Sequence, residues 1–241
     1  QPSPDMETSR RTGSELAERL CSLVPDPAFV LVFSDGLSVN GSELVAGMGQ
    51  GLASRCLFSG GLAGDGTRFG STVVIADGKL HHQAVVGIVF GGSSLKVACS
   101  SVAGWCPFGT FRQVTLSRAN MLDEIDGSPA LQVYSSYLGP DAEQLPSSGL
   151  LYPLEVHPPD GSPPVIRTLL AVDREVGSLT FAGDIPQGST ARLMNASSDQ
   201  LVNGAGLAAE KAVSSLPDPA VAILVSCVGR KLALASYTDL E

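Results

Sequence analysis

Near the start of the chain, apolar residues first recur at helical spacing and then form a continuous run. After a polar stretch that predicts a loop over Gln1–Thr12, leucines recur every three or four positions and predict a helix over Gly13–Val24. Pro25-Asp26-Pro27 ends that helix, because proline lacks the N–H that a further turn requires. The apolar run Ala28–Phe33 then predicts a buried strand, which stops at the turn residues Ser34-Asp35-Gly36.

The same passage recurs near the other end of the chain. A helix is predicted over Gly206–Leu216, Pro217-Asp218-Pro219 ends it, and Ala220–Val225 predicts a second buried strand. Aligning the two proline pairs brings eight identical residues together: Ala17, Glu18, Ser22, Pro25, Asp26, Pro27, Ala28 and Ser34 match Ala209, Glu210, Ser214, Pro217, Asp218, Pro219, Ala220 and Ser226. We interpret the pattern as two related helix–strand halves. The alternative is that helix–turn–strand units simply resemble one another.

Shorter strands and turns fill the region between these passages. The predicted elements are a strand over Thr72–Ala76 with a hairpin turn at Asp77-Gly78, a strand over Leu95–Ser100, a helix over Ala130–Tyr137, an inter-domain loop over Pro140–Pro164, and a hairpin at Asp184–Gly188 between the strands Ser178–Ala182 and Thr190–Met194. Helices and strands mixed in this way predict an α/β fold with mixed sheets of the α+β kind.

Composition and charge exclude several classes of partner. The net charge of −9 and the lack of a basic stripe argue against nucleic acid and against anionic membranes. No apolar run reaches the roughly 20 residues of a membrane-spanning helix. The five cysteines are odd in number and form no CxxC pair, which argues against a zinc site and predicts reduced, mostly buried thiols in a cytoplasmic protein.

The densest glycine cluster is the first candidate binding site. In Gly60-Gly61-Leu62-Ala63-Gly64-Asp65-Gly66, the residues Gly60, Gly61 and Gly64 would let the backbone approach a ligand, and Asp65 would bind a ligand amine. The cluster is neither a dinucleotide fingerprint nor a Walker phosphate loop. The alternatives are a structural turn for the glycines and a capping role for Asp65.

Two further segments carry candidate ligand-binding residues. At the end of the second predicted strand, Arg230 would clamp a carboxylate, and Cys227 would be a nucleophile if a base such as histidine lay beside it. Trp105, in a Gly-Pro loop, would line a pocket. The alternatives are a buried Cys227, a surface Arg230, and a tryptophan that closes the end of a core.

The histidines leave one cofactor possibility open. His81 and His82 are adjacent and would point to opposite faces of a strand, so they would not chelate one metal. Either of them, or His157, would be able to act as an axial haem ligand, although a solvated or core histidine is the more common role. No catalytic Ser-His-Asp signature is present, so we expect a binder rather than an enzyme.

Several motifs, taken in order, resemble those of the FIST family. They are Phe33-Ser34-Asp35-Gly36, the Gly60–Gly66 cluster, Thr72–Gly78, Gly104-Trp105-Cys106-Pro107-Phe108-Gly109, Val114-Thr115, Ile125-Asp126-Gly127-Ser128-Pro129-Ala130-Leu131, Val133-Tyr134, Gly183-Asp184-Ile185-Pro186-Gln187-Gly188 and Ser226-Cys227-Val228-Gly229-Arg230. The resemblance implies a two-domain sensor module, with a FIST N-terminal-type domain over residues 1–126 and a C-terminal-type domain over 127–241. It also implies that this chain is a piece of a longer protein, because family members extend further at both ends.

The resemblance further implies what such a module senses and what it regulates. The expected ligand is an amino acid or a similar small molecule. The expected partner is a signalling protein such as a histidine kinase or a ubiquitin-ligase component. Some family members are similar to haem-based nitric oxide sensors that control a histidine kinase or cyclic-di-GMP turnover, so haem stays possible. Two further functions compete with the sensor, namely a cysteine-dependent enzyme that uses Cys227 and a protein-interaction scaffold.

The two halves also predict where a ligand would lie. Related halves that pack around a pseudo-twofold axis bring their strand-end loops together. We therefore expect Arg230 and the Gly60–Gly66 cluster to lie on the same side of the molecule and to border one pocket.

Overall fold

The computed structural model describes residues 6–54 and 56–240, which form helices, strands and three short 3-10 helices. The α-helices are α1 (Met6–Leu23), α2 (Gly41–Gly51), α3 (Ala130–Leu138), α4 (Ser198–Ser215) and α5 (Val228–Leu234). The strands are β1 (Pro27–Ser34), β2 (Leu57–Leu62), β3 (Val74–Ala76), β4 (Lys79–His81), β5 (Val85–Gly91), β6 (Cys106–Arg118), β7 (Met121–Ile125), β8 (Ser128–Pro129), β9 (Leu154–His157), β10 (Val165–Arg167), β11 (Leu169–Asp173), β12 (Ser178–Phe181) and β13 (Thr190–Asn195). The 3-10 helices are Gly139–Gln144, Ser147–Leu151 and Ala235–Leu240.

A three-stranded mixed sheet forms the centre of the first half. Its order is β2-β1-β5, with β1 parallel to β2 and antiparallel to β5. Helices α1 and α2 cover one face, where a small core contains Ala17, Leu20, Val30 and Met48. Side chains on the opposite face, such as Ile88, stay partly exposed. The carboxyl ends of β1 and β2 lie at the same edge of this sheet because the two strands are parallel.

A larger antiparallel sheet forms the second part of the fold. Its order is β10-β9-β13-β6-β7-β12-β11, and β8 pairs with β7. Strands β6 and β7 precede residue 126 while β9–β13 follow it, so strands from both sides of that position share one sheet. Helix α3 packs on the sheet through Tyr134, which is fully buried and donates its hydroxyl to the Tyr152 carbonyl at 2.6 Å.

The predicted fold class and most of the predicted helices and strands are confirmed. The fold is a mixed α/β arrangement with several sheets. Helices lie over both predicted helical passages, and α4 begins with a capping box between Ser197 and Gln200. The hairpin turn at Asp77-Gly78 joins β3 to β4, and both residues have the positive φ that this two-residue turn requires, 50° and 72°.

Five local predictions are wrong. Ala220–Val225 and Leu95–Ser100 do not form strands. The stretch Pro140–Pro164 is not an inter-domain loop, because it contains two 3-10 helices and β9 and buries Leu145, Leu150 and Leu154. Strands β12 and β13 form no hairpin, since β12 pairs with β7 and β11 whereas β13 pairs with β6 and β9. The predicted N-terminal loop is helical from Met6, and its first five residues lie outside the described part of the chain.

Candidate functional site

The glycine cluster begins inside β2 rather than in a turn after it. Gly60 and Gly61 pair with Val32 and Phe33 of β1, so the prediction that the whole cluster forms a strand-end loop is wrong for these two residues. A Cβ on Gly60 would overlap the carbonyl oxygen of Val32, and its φ is +155°. Glycine is therefore required at Gly60 for β2 to approach β1, and the loop itself starts after Leu62.

Asp65 holds that loop together. Its carboxylate accepts the backbone N–H groups of Phe69, Gly70 and Ser71 at 3.1, 2.8 and 3.1 Å. Partial burial acts to raise the pKa of Asp65, but these N–H donors together outweigh burial and lower the pKa below the ordinary aspartate value. The geometry matches the capping alternative, because the three donors already occupy both carboxylate oxygens.

The glycine segment of the first half contacts the 225–228 segment of the second half. A Cβ placed on Gly61 would lie 3.4 Å from Cγ1 of Val225, and one placed on Gly64 would lie 3.7 Å from Cβ of Val228. Nearby, the Ser147 hydroxyl donates to the Thr67 carbonyl at 3.1 Å, which adds a polar contact between the same regions. We call this contact region, residues 60–67 with residues 225–230, the glycine joint.

Cys227 sits at the exposed end of the glycine joint. It is the N-cap of α5, and its sulfur accepts the backbone N–H of Arg230 at 3.4 Å. The side chain is exposed, so the buried alternative is wrong for this residue. Among the other free cysteines only Cys56 is buried, and Cys99 is exposed, so the expectation of mostly buried thiols is wrong.

Arg230 is a buried residue that connects α5 to the loop containing Trp105 and to α4. The residue is 8% exposed, and its Nη1 donates to the Ala103 carbonyl while Nη2 donates to the Leu201 carbonyl at 2.9 Å. Gly104 makes this possible, since a Cβ there would lie 2.9 Å from the Gln200 carbonyl and 3.2 Å from Nη1 of Arg230. The surface alternative is wrong, and the guanidinium is directed at backbone carbonyls.

The candidate residues are therefore close together. Arg230, however, is directed at backbone carbonyls and not into a pocket shared with the glycine cluster. Gly61 and Gly64 contact the segment that carries Cys227, and Arg230 connects that segment to the loop of Trp105, which is half-buried. Arg230 lies in the same helix as Val228, the residue near Gly64. The guanidinium is bonded to Ala103 and Leu201, so a ligand at the glycine joint would meet backbone and apolar side chains first.

A second contact between the halves involves residues that sequence reasoning did not identify. Asn40 caps α2 and donates its amide to the Asp184 carboxylate at 2.8 Å. The backbone N–H of Asp184 donates to the Ser42 hydroxyl at 3.0 Å, and Nε of Arg167 donates to the Asp184 carbonyl at 2.8 Å. Burial lowers the pKa of Arg167 more strongly than nearby Asp184 raises it. The N-cap pattern Asn40-Gly41-Ser42-Glu43 was the available sequence signal. We call this contact region the α2 junction.

The structure places two of the three histidines at the β3–β4 hairpin and the third at the end of β9. His81 and His82 are exposed beside the β3–β4 hairpin, and Nδ1 of His82 lies 3.2 Å from both the Ser71 hydroxyl and the Thr72 carbonyl. Nε2 of His157 lies 3.4 Å from a Glu155 carboxylate oxygen, against the edge of Phe111. Within residues 6–54 and 56–240, no three His, Cys, Asp or Glu side chains cluster in a way that could hold a metal ion.

Helix length and hydropathy do not indicate a membrane span. Over the part of the chain that the structure describes, none of the helices is both long and apolar enough to cross a bilayer.

Comparison with known proteins identifies the family. The model of the FIST N domain matches residues 2–128, and that of the FIST C domain matches residues 130–241. Two uncharacterized proteins of Mycobacterium tuberculosis, from strains CDC 1551 / Oshkosh and ATCC 25618 / H37Rv, are each 28% identical over 189 residues, which is 75% of this chain and 49% of the relative. The chain thus spans about half the length of the curated relatives it matches. No solved structure matches it.

FIST domains are generally sensor domains of signal transduction and are not typically enzymes. The two family matches meet between residues 128 and 130 and together cover nearly the whole sequence. The chain belongs to the FIST family, with one FIST N half and one FIST C half.

Proposed function

We propose that this chain is the ligand-sensing module of a signalling protein and that its ligand acts at the glycine joint. The observation that carries the proposal is the contact of Gly61 with Val225 and of Gly64 with Val228, because it places glycine backbone of the FIST N half against valine side chains of the FIST C half. A small molecule that inserts there has to separate the two segments. Its binding would thereby favour a different position of residues 225–230 and α5 relative to the glycine segment.

Arg230 supports transmission of such a change. It belongs to the helix that follows the joint, and it bonds to the carbonyls of Ala103 and Leu201. Movement of α5 would therefore pull on the Trp105 loop and on the first turn of α4 together. In this proposal Asp65 and Arg230 hold the segments of the glycine joint in place. The ligand would contact the remaining candidate residues, namely Gly60, Gly61, Gly64, Trp105 and Cys227.

The proposed ligand is an amino acid or a molecule of similar size and polarity. Family membership supports a small ligand, and the glycine segment supports one that can reach exposed backbone. The proposed output is a change in contact with a signalling protein, such as a histidine kinase or a component of a ubiquitin ligase. The five unpaired cysteines support a reducing, cytoplasmic setting.

Titration calorimetry with each of the twenty amino acids tests the proposal. We expect saturable binding of at least one amino acid to the wild-type chain. We expect Gly61→Ala and Gly64→Ala to weaken it about tenfold or more, the equivalent of ~1.4 kcal/mol, because a methyl group fills the gap at near-contact distance. Gly49→Ala is the matched control, since a Cβ there meets nothing within 4 Å.

Two results would contradict the proposal. One is the absence of any binding amino acid, and the other is equal binding by the Gly49→Ala and Gly61→Ala chains. A haem titration of the same samples, read as Soret absorption, addresses the haem-sensor alternative separately. A stoichiometric Soret band would favour the haem-sensor alternative, and its absence would count against that alternative.

The exposure of Cys227 favours one alternative, a cysteine-dependent enzyme. Iodoacetamide labelling across pH distinguishes it from a sensor. A nucleophile would make Cys227 label much faster than Cys99, the other exposed thiol. Equal labelling rates for the two thiols would leave Cys227 as the helix cap that its contact with Arg230 N–H describes.

The apolar segment just before the joint favours a second alternative, a protein-interaction scaffold. Val221, Ile223 and Leu224 are 78%, 57% and 80% exposed. A scaffold would bind the same partner whether or not Gly61→Ala is present, and it would bind no amino acid. A sensor would bind its partner to a different extent with and without the ligand.

A further inference from the structure

A second concave site lies in the first half, apart from the glycine joint. A cavity of about 260 Å³ opens where the start of α1 crosses the loop that follows β1. Its lining residues include Thr8, Ser9 and Thr12 of α1 and Ser38, all of which carry hydroxyl groups. Gln83, just before β5, contributes an amide. The lining is therefore rich in uncharged hydrogen-bonding groups.

A buried carboxylate fixes the loops that form this cavity. Asp35 is 4% exposed, and its Oδ1 accepts the backbone N–H of Leu37 at 2.9 Å and both the N–H and the hydroxyl of Ser38 at 2.8 Å. Its Oδ2 accepts the backbone N–H of Gln83 at 3.4 Å. One side chain thus holds two separate lining segments in place, so the cavity is organised before any ligand binds.

The opposite wall is fixed as well. The Ser9 hydroxyl accepts the backbone N–H of Asn40 at 3.1 Å, which ties α1 to the start of α2. In the sheet, Ser34 lies beside Val85, a lining residue, and its hydroxyl oxygen is buried without a hydrogen-bond partner among the described residues.

The lining indicates the chemistry of the ligand. None of the described lining residues is charged, so the ammonium and carboxylate of a free amino acid would be desolvated without a counter-charge. Serine and threonine hydroxyls both donate and accept, which matches a ligand made of hydroxyl groups. Val39 and Val85 provide an apolar wall for its C–H groups.

The geometry points to a binding site for a small uncharged polyhydroxylated molecule, a free sugar or a polyol. The site lies at the carboxyl edge of the parallel pair β1 and β2, where α/β sheets commonly bind ligands. All of its described lining residues belong to the FIST N half. It therefore does not depend on the proposal that an amino acid binds at the glycine joint.

Saturation-transfer NMR and titration calorimetry with D-ribose, D-glucose and myo-inositol test this inference on the whole chain. We expect saturable binding of at least one of the three. Thr12→Val removes one hydroxyl while keeping the side-chain shape, and it should weaken binding about tenfold. Gln83→Asn should also weaken it, since asparagine tolerates the φ of 49° at this position while the shorter side chain withdraws the amide.

Controls separate this site from the glycine joint. Thr110→Val makes the same chemical change at an exposed threonine outside both the cavity and the glycine joint and should leave binding intact. Val85→Phe should abolish binding by filling the cavity, and circular dichroism checks that each variant folds. Gly61→Ala should not affect sugar binding, so the two sites can fail independently.

Three results would overturn the inference. The first is no saturable signal from any of the three probes. The second is binding that survives Thr12→Val in a folded chain, with an affinity equal to that of Thr110→Val. The third is displacement of a bound sugar by glycine or L-serine at similar concentration, which would show that charged ligands enter as readily as neutral ones.

Discussion

A single buried guanidinium connects elements that are distant in sequence. Arg230 donates to the carbonyls of Ala103 and Leu201, and these bonds join α5 to the Trp105 loop and to α4. Sequence patterns placed Arg230 in a candidate site because arginine commonly binds carboxylates. Its partners are backbone groups, which look alike in every residue, so the sequence has no signal that could identify them.

Replacing this guanidinium should lower stability more than replacing a neighbouring cation. Arg230→Met removes two charge-assisted hydrogen bonds made by a side chain that is 8% exposed, and we expect it to reduce the free energy of unfolding by ~3 kcal/mol. Lys231→Met removes a charge from an exposed position of the same helix and should change it by less than about 0.5 kcal/mol. Urea unfolding measures both. Equal midpoints for the two variants would show that the Arg230 bonds do not stabilise the fold.

Asp65 makes the stability of its loop depend on pH. Its pKa is lowered in the folded protein, so its contribution is present above the unfolded aspartate pKa and is lost as pH falls through the lower folded value. Asp65→Asn should therefore be less stable than wild type at pH 7, and the difference should shrink below about pH 4. Thermal unfolding from pH 7 to pH 3 measures this change.

Asp77→Asn is the control for Asp65→Asn. It makes the same substitution at an exposed turn position with positive φ, where asparagine is equally suitable. A stability difference for Asp65→Asn that stays constant from pH 7 to pH 3 would show that the carboxylate charge is not what holds the loop.

At the scale of elements, α1 and α2 approach so closely that side chains are excluded between them. A Cβ on Gly47 would overlap the carbonyl oxygen of Arg10. Gly49, two residues further and on the exposed side of α2, has open space around it. The same substitution at these two glycines should therefore have opposite effects.

Gly49→Ala should raise the free energy of unfolding by ~0.5–1 kcal/mol, because alanine favours the helix. Gly47→Ala should lower it by ~1–3 kcal/mol, since the backbone contact must open. Thermal unfolding by circular dichroism compares them. An increase in melting temperature for Gly47→Ala would show that the two helices separate without cost.

The elements that could be predicted from sequence are those whose signals are local. Helical periodicity and the proline stops identified α1 and α4, and Asp77-Gly78 identified its hairpin. Ala220–Val225 has the composition of a buried strand, but pairing depends on a neighbouring strand that no local pattern reveals. The repeat led us to expect Gly61 near the 225–230 segment. The α2 junction was not predicted, because it too depends on contacts between residues that are distant in sequence.

At the scale of the whole molecule, the two halves share one sheet through the pairing of β6 with β13 and of β7 with β12, and they also meet at the glycine joint and at the α2 junction. The glycine joint is an apolar contact of small residues, and the α2 junction is a hydrogen-bonded network around Asp184. Of these two smaller contacts, the network around Asp184 has more hydrogen bonds, because Arg167, Asn40 and Ser42 all bond to Asp184.

A charge change at Asn40 tests the α2 junction. Asn40→Asp keeps a good helix N-cap but replaces a hydrogen bond with a contact between two carboxylates. We expect it to lower the free energy of unfolding by ~1–3 kcal/mol. Adding Asp184→Asn restores an amide–carboxylate pair in the reverse direction and should recover much of the loss. Urea unfolding of the four chains gives the coupling energy, and a value near zero would mean that the pair does not hold the halves together.

The unpaired stretch before α5 also determines where the chain can be cut. Residues 219–227 belong to no helix or strand, and their exposed Val, Ile and Leu side chains suit thermolysin. Brief digestion should nick the backbone there first. The C-terminal fragment that this cut produces should nevertheless stay bound to the rest of the protein, because Arg230 bonds to Ala103 and Leu201. A nicked molecule that elutes at the size of the intact one, and that separates only in denaturant, is the expected product.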